Sequence, residues 1–75
     1  MSEYSVILVK STNQAMRIEH ILNMGGISSK LIPVPRYLSS NCGNCVRILT
    51  KDVDFSCKLL EKNLIQIDGI TELDH

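Results

Sequence analysis

Residues 28–50 read Ser28-Ser-Lys-Leu-Ile-Pro-Val-Pro-Arg-Tyr-Leu-Ser-Ser-Asn-Cys-Gly-Asn-Cys-Val-Arg-Ile-Leu-Thr50, and the two prolines in this stretch decide how the chain folds. From Ser28 to Leu38 it has strand character, yet Pro33 and Pro35 carry no backbone N–H to give to a ladder. Residues two apart on a strand point their N–H groups to the same side, so both missing donors face one edge. The segment is therefore an edge strand, and its outer side resists pairing with another chain. After a polar loop from Ser39 to Asn44, residues Cys45 to Thr50 alternate as a further strand. Val46 and Ile48 share one face, and Cys45, Arg47 and Leu49 share the other. The two strands form a hairpin.

Working outward, Tyr4-Ser-Val-Ile-Leu-Val-Lys10 is an unbroken β-branched and aliphatic run that suits a buried central strand. Ser11 or Thr12 caps a helix whose Ala15, Ile18, Ile21 and Leu22 form one stripe and whose stop is Gly25-Gly26. On the other side of the hairpin, Thr50 caps a second helix. Its apolar stripe is Val53, Cys57, Leu60 and Leu64, which assigns Cys57 to the core. A last strand falls within residues 64–73, as Leu-Ile-Gln-Ile or as Gly-Ile-Thr-Glu-Leu. The order βαββαβ is the ferredoxin-like α+β arrangement: one domain over residues 1–75, with an antiparallel four-stranded sheet and two helices on one face. In that topology the second strand lies at an edge, which the prolines indicate independently. Because the first strand is aliphatic on both sides, apolar surface is expected on the uncovered face. A homodimer through that face or a sheet edge would bury it.

Composition narrows the function. With 75 residues there is room for one core only. Eight Lys+Arg balance eight Asp+Glu, and Tyr4, Tyr37 and Phe55 are the only aromatic residues, so nucleic acid is not an expected partner. Val6 to Val9 is too short for a membrane span or a signal peptide. Three cysteines are too few for a disulfide scaffold, which points to reduced thiols and a cytoplasmic protein.

The strongest chemical signal is Cys42-Gly43-Asn44-Cys45 in the hairpin loop. Such a pair serves as a redox dithiol, half of a metal site, a carrier thiol with a resolving partner, or two structural cysteines. A thioredoxin-like site needs the pair to open a helix, and here it runs into a strand. Heavy-metal carriers of this fold place the pair after the first strand, where this chain has Lys10-Ser-Thr-Asn. A structural zinc site needs four ligands. His20 lies in a helix, His75 is terminal and Cys57 sits on the apolar stripe, so a metal or cluster chaperone built on Cys42 and Cys45 requires two chains to pool their pairs. No metal ligand set is expected within one chain. Arg47 shares the strand face of Cys45 at roughly 7 Å and is placed to stabilise a thiolate, unless it and Arg36 are simply solvated. An ordinary thiol of pKa ~8.5 is only about 3% ionised at pH 7, so such help matters. No phosphate loop or Ser/His/Asp set is present, no cofactor is expected, and a carrier or a non-catalytic interaction module suits the chain better than a stand-alone enzyme.

Several of these residues together resemble a known family. Ser11-Thr12 with Ala15 and Glu19, Gly26-Ile27, Leu31-Ile-Pro-Val-Pro-Arg36, Ser39-Ser40, Cys42-Gly43 and Arg47 are similar to the pattern of the selenium/sulfur carrier-like family of small bacterial domains. The likeness runs from Tyr4 to Ile70. It implies that Cys42 is the carrier thiol, holding a persulfide or perselenide with Gly43 and Arg47 around it. It also implies a cysteine desulfurase or selenium donor on one side and an acceptor protein on the other. Two positions depart from the pattern: Cys45 stands where a small apolar residue is usual, and Ile48 where phenylalanine is common. A thiol at Cys45 can attack a persulfide and release sulfide, so it is a candidate for the discharge step.

Overall fold

The computed structural model describes residues 2–38 and 43–73. Tyr4–Leu8 forms β1, and its Val6 and Ile7 are both fully buried although they leave the strand on opposite faces. Such a strand needs neighbours on both edges. β1 pairs antiparallel with β3 (Asn44–Leu49) on one side and β4 (Gly69–Glu72) on the other, while β2 (Ser29–Pro33) pairs outside β3. The order β2-β3-β1-β4, with α1 (Thr12–Met24) and α2 (Val53–Lys62) in the connections, is the expected ferredoxin-like α+β fold. Of the two options for the last strand, the chain uses the one that begins at Gly69.

Both helices cover the same sheet face. Ile7 and Val9 from the first strand segment, Val46 and Ile48 from β3, Ala15, Ile18 and Leu22 from α1, and Leu60 from α2 form one buried cluster. The alternation expected along β3 therefore holds.

The β2 edge closes residue by residue. Val34 N–H donates inward to Gly43 O at 3.0 Å, so the nitrogens of Pro33 and Pro35 face outward by alternation. The next outward N–H groups are those of Leu31 and Ser29. Glu19 from α1 accepts from Leu31 N–H at 2.8 Å, and Asn23 Oδ1 accepts from Ser29 N–H at 3.2 Å. Proline removes two donors and α1 occupies two, which leaves no row of free N–H groups for a second chain. Only Pro33 lies within β2 itself. The strand is shorter than the sequence suggests because the chain turns after Pro35, whose carbonyl accepts from Leu38 N–H.

Both helices end in the same motif. In α1, Gly26 N–H donates to Asn23 O and Ile27 N–H to Leu22 O; in α2, Leu64 N–H donates to Glu61 O and Ile65 N–H to Leu60 O. This is the Schellman pattern, and Leu22, Ile27, Leu60 and Ile65 at its apolar positions all belong to the core cluster or pack against it. The left-handed position is Gly26 in the first case (φ 84°) and Leu64 in the second (φ 59°). Leu64 is 92% exposed, so it is not the end of an apolar stripe; the helix has already stopped at Lys62.

Two further expectations for α2 are corrected. Thr50 does not cap it: a 3₁₀ turn over Thr50–Asp52 precedes the helix, and Thr50 Oγ1 instead bonds Ser5 Oγ at 2.8 Å. That extra turn rotates the helix, so Ser56 and Leu60 are its buried residues and Cys57 is only half-buried. The uncovered face also shows less apolar surface than expected. Val6 is enclosed, and Leu8, Ile32 and Leu49 are half-buried, while the large exposed apolar groups include Met16, Met24, Phe55 and Leu64, all outside the sheet.

Two stability predictions follow from these helix features. Leu64→Gly relieves a left-handed leucine and should stabilise the fold by about 1 kcal/mol, whereas Gly26→Ala should cost about as much, read as opposite shifts in thermal midpoint. Ser56 Oγ is buried with no hydrogen-bond partner among the described residues. Ser56→Ala should therefore raise stability by about 1–2 kcal/mol in a denaturant titration, and a loss would show that the hydroxyl is satisfied in solution.

Candidate functional site

The connection between β2 and β3 is closed at its neck by the Val34–Gly43 bond and begins with the Pro35–Leu38 turn. Cys42, with Ser39, Ser40 and Asn41, lies outside the described residues. Its flanks do not. Gly43 is exposed, and none of the described residues crowds the position its Cβ would take.

Asn44, two residues after Cys42, donates from Nδ2 to Thr12 Oγ1 at 3.2 Å. That bond holds the exit of the connection against the first turn of α1. The turn is well formed: Ser11 Oγ accepts from Gln14 N–H at 3.1 Å, and Gln14 Oε1 accepts from Lys10 N–H at 2.9 Å. A helix N-terminus carries partial positive charge and stabilises an anion close to it. Reading along the chain misses this helix, because Thr12 precedes Asn44 by some thirty residues and is brought against it only by the sheet. Ser11-Thr12 was visible as a cap, but nothing local tied it to the loop.

The other candidate residues are placed as follows. Cys45 is in β3, opposite Ile32, and is 0% exposed. It shares the uncovered face with Arg47, as alternation requires, but the functional ends of the two side chains diverge. The Arg47 guanidinium lies over the Tyr4 ring, 4.3 Å from its centroid. Tyr4 is opposite Leu49, so the guanidinium leans towards the end of β3 away from Cys45. Arg47 itself is roughly 14 Å along the strand from Gly43. Cys57 is a half-buried thiol on α2, behind the opposite sheet face. Among the described residues no three His, Cys, Asp or Glu side chains gather into a metal-holding group. None of the described helices is long and apolar enough to cross a membrane.

These features define a small ferredoxin-like α+β domain with a cysteine-bearing connection at one end of its sheet. A family model described as "Putative Se/S carrier protein-like" matches residues 3–72, and the chain belongs to that family. No curated protein and no solved structure matches it.

The different enclosure of the thiols gives a direct test. In the folded protein a small alkylating agent should modify Cys57 faster than Cys45, and Cys42 fastest of all, with the differences vanishing in denaturant; peptide mapping after a timed quench reads each site. A Cys45 that reacts as fast as Cys57 would contradict its enclosure in β3.

Proposed function

We propose that this protein is a sulfur or selenium carrier that works in the cytoplasm, with Cys42 as the atom-bearing thiol. The observation that supports this most is the family match across Cys42-Gly43, in a chain whose other cysteines are enclosed in β3 or half-buried on α2. A carrier needs one accessible thiol that ionises readily. Asn44, two residues after Cys42 in the chain, bonds Thr12 in the first turn of α1, and a helix N-terminus favours the anionic forms of a thiol and its persulfide brought close to it.

Loading is a sulfur transfer without net oxidation. The Cys42 thiolate attacks the terminal sulfur of a persulfide on a donor such as a cysteine desulfurase, and the donor leaves as its own thiolate. Delivery repeats the step on an acceptor protein. A selenium donor would load a perselenide by the same displacement. Discharge through Cys45 would free sulfide and leave a Cys42–Cys45 disulfide, and since Cys45 is enclosed it would first require the start of β3 to open. Direct transfer to an acceptor needs no such opening.

The experiment compares wild type with Cys42→Ser and Cys45→Ala after incubation with a cysteine desulfurase and labelled cysteine. Intact mass should show one added sulfur on wild type and on Cys45→Ala, and none on Cys42→Ser. A parallel zinc titration covers the rival reading. Tight zinc binding lost equally in both variants, with no sulfur loading in any protein, would replace the carrier by a dithiol metal chaperone.

A further inference from the structure

On the uncovered face, Lys30 of β2 and Arg47 of β3 are directly opposite each other in register. Side chains so placed leave their strands about 4.5–5.5 Å apart, and like charges there oppose folding. Among the described residues neither side chain forms an ion pair or a hydrogen bond; the only contact of this kind is the stacking of Arg47 on Tyr4. Stacking engages the flat face of the guanidinium and leaves its in-plane N–H donors unspent, while fixing the direction in which they point.

Arg47 and Lys30 line a recess of about 120 Å³ together with Tyr4, Ser28 and others, and none of the described residues in its wall is a carboxylate. That volume is several times the roughly 10–15 Å³ a single water requires, enough for an ion of five heavy atoms. Ser28 adds a hydroxyl. Two positive charges opposed across neighbouring strands match a dianion with several acceptor oxygens better than a single carboxylate.

We propose that this recess binds a small tetrahedral oxyanion of the phosphate class. Arg47 supplies a pre-aimed fork of donors, Lys30 the second charge and Ser28 a hydroxyl. Bound anion neutralises the opposed cations, which accounts for a pair that otherwise only weakens the sheet. The recess lies towards the end of β3 remote from Gly43, so the inference does not rest on sulfur carriage by Cys42, and either can fail alone.

The test titrates ¹⁵N-labelled protein with inorganic phosphate at pH 7.5 and low salt, against sodium chloride at matched ionic strength. Amide shifts at Ser28, Lys30, Arg47 and Leu49 should saturate with phosphate and not with chloride. Lys30→Gln should weaken the fitted affinity about tenfold or more, since a charge-assisted contact is lost, and it should melt higher than wild type in low-salt buffer without phosphate. Arg47→Lys keeps the charge but loses the fork, and should also weaken binding. Shifts that fail to saturate, that chloride reproduces, or that Lys30→Gln leaves unchanged would overturn the proposal.

Discussion

The structure depends on the placement of β1. Its backbone is paired on both edges and its side chains are enclosed on both faces, with Ile7 against the helices and Val6 on the side they do not cover. No other strand among the described residues combines these conditions with an unbroken aliphatic run. Once β1 is central, the remaining strands must lie around it, and the two crossover helices must share the face on which Ile7, Val46 and Ile48 project. The same arrangement carries the start of β3 to the N-terminus of α1, which is why the cysteine-bearing connection ends beside a helix from another part of the chain.

The exposed edge of β2 is managed by two devices in series. Pro33 and Pro35 delete donors, and Glu19 and Asn23 reach from α1 to the two that remain. A strand at the rim of a small domain is a template for unwanted pairing, and the closure here is complete along the residues concerned. Glu19 thereby has a structural task that its place in the family-like pattern did not suggest. Its carboxylate is an acceptor for a backbone amide and is taken out of the reckoning as a ligand or base.

On the uncovered face the balance is different. The sheet there carries opposed cations, a stacked aromatic ring and an enclosed cysteine where β1 alone leads one to expect apolar surface. Val6 is fully buried there with Arg47 opposite it in register, although a long charged side chain is its neighbour on that face. The two ends of β3 thus differ in chemistry: thiol at the beginning, paired positive charge further along.

How far the chain could be read in advance depended on whether the relevant physics was local. The edge strand was legible because a missing N–H is a property of proline itself, and the first helix was legible because Ser11 and Gly26 carry their cap and stop in their own side chains or lack of one. The alternation of Val46, Arg47 and Ile48 followed from the twofold period of a strand. The phase of α2 was not legible: a 3₁₀ turn of three residues, bonded through Thr50 to Ser5 some 45 positions earlier, sets the rotation that buries Ser56 in place of Cys57. Leu64 in the left-handed region was equally hidden, since neighbouring apolar residues suggested a stripe and only the packing of Ile65 on Leu60 demands the turn. At the candidate site, the sequence by itself pointed to the family, which the match over residues 3–72 shows, and offered Cys42 as the candidate thiol. Tertiary structure alone decided that Cys45 is enclosed, that Arg47 leans to Tyr4, and that Asn44 meets the first turn of α1, because side-chain direction and helix approach are set by pairings between residues far apart in the chain.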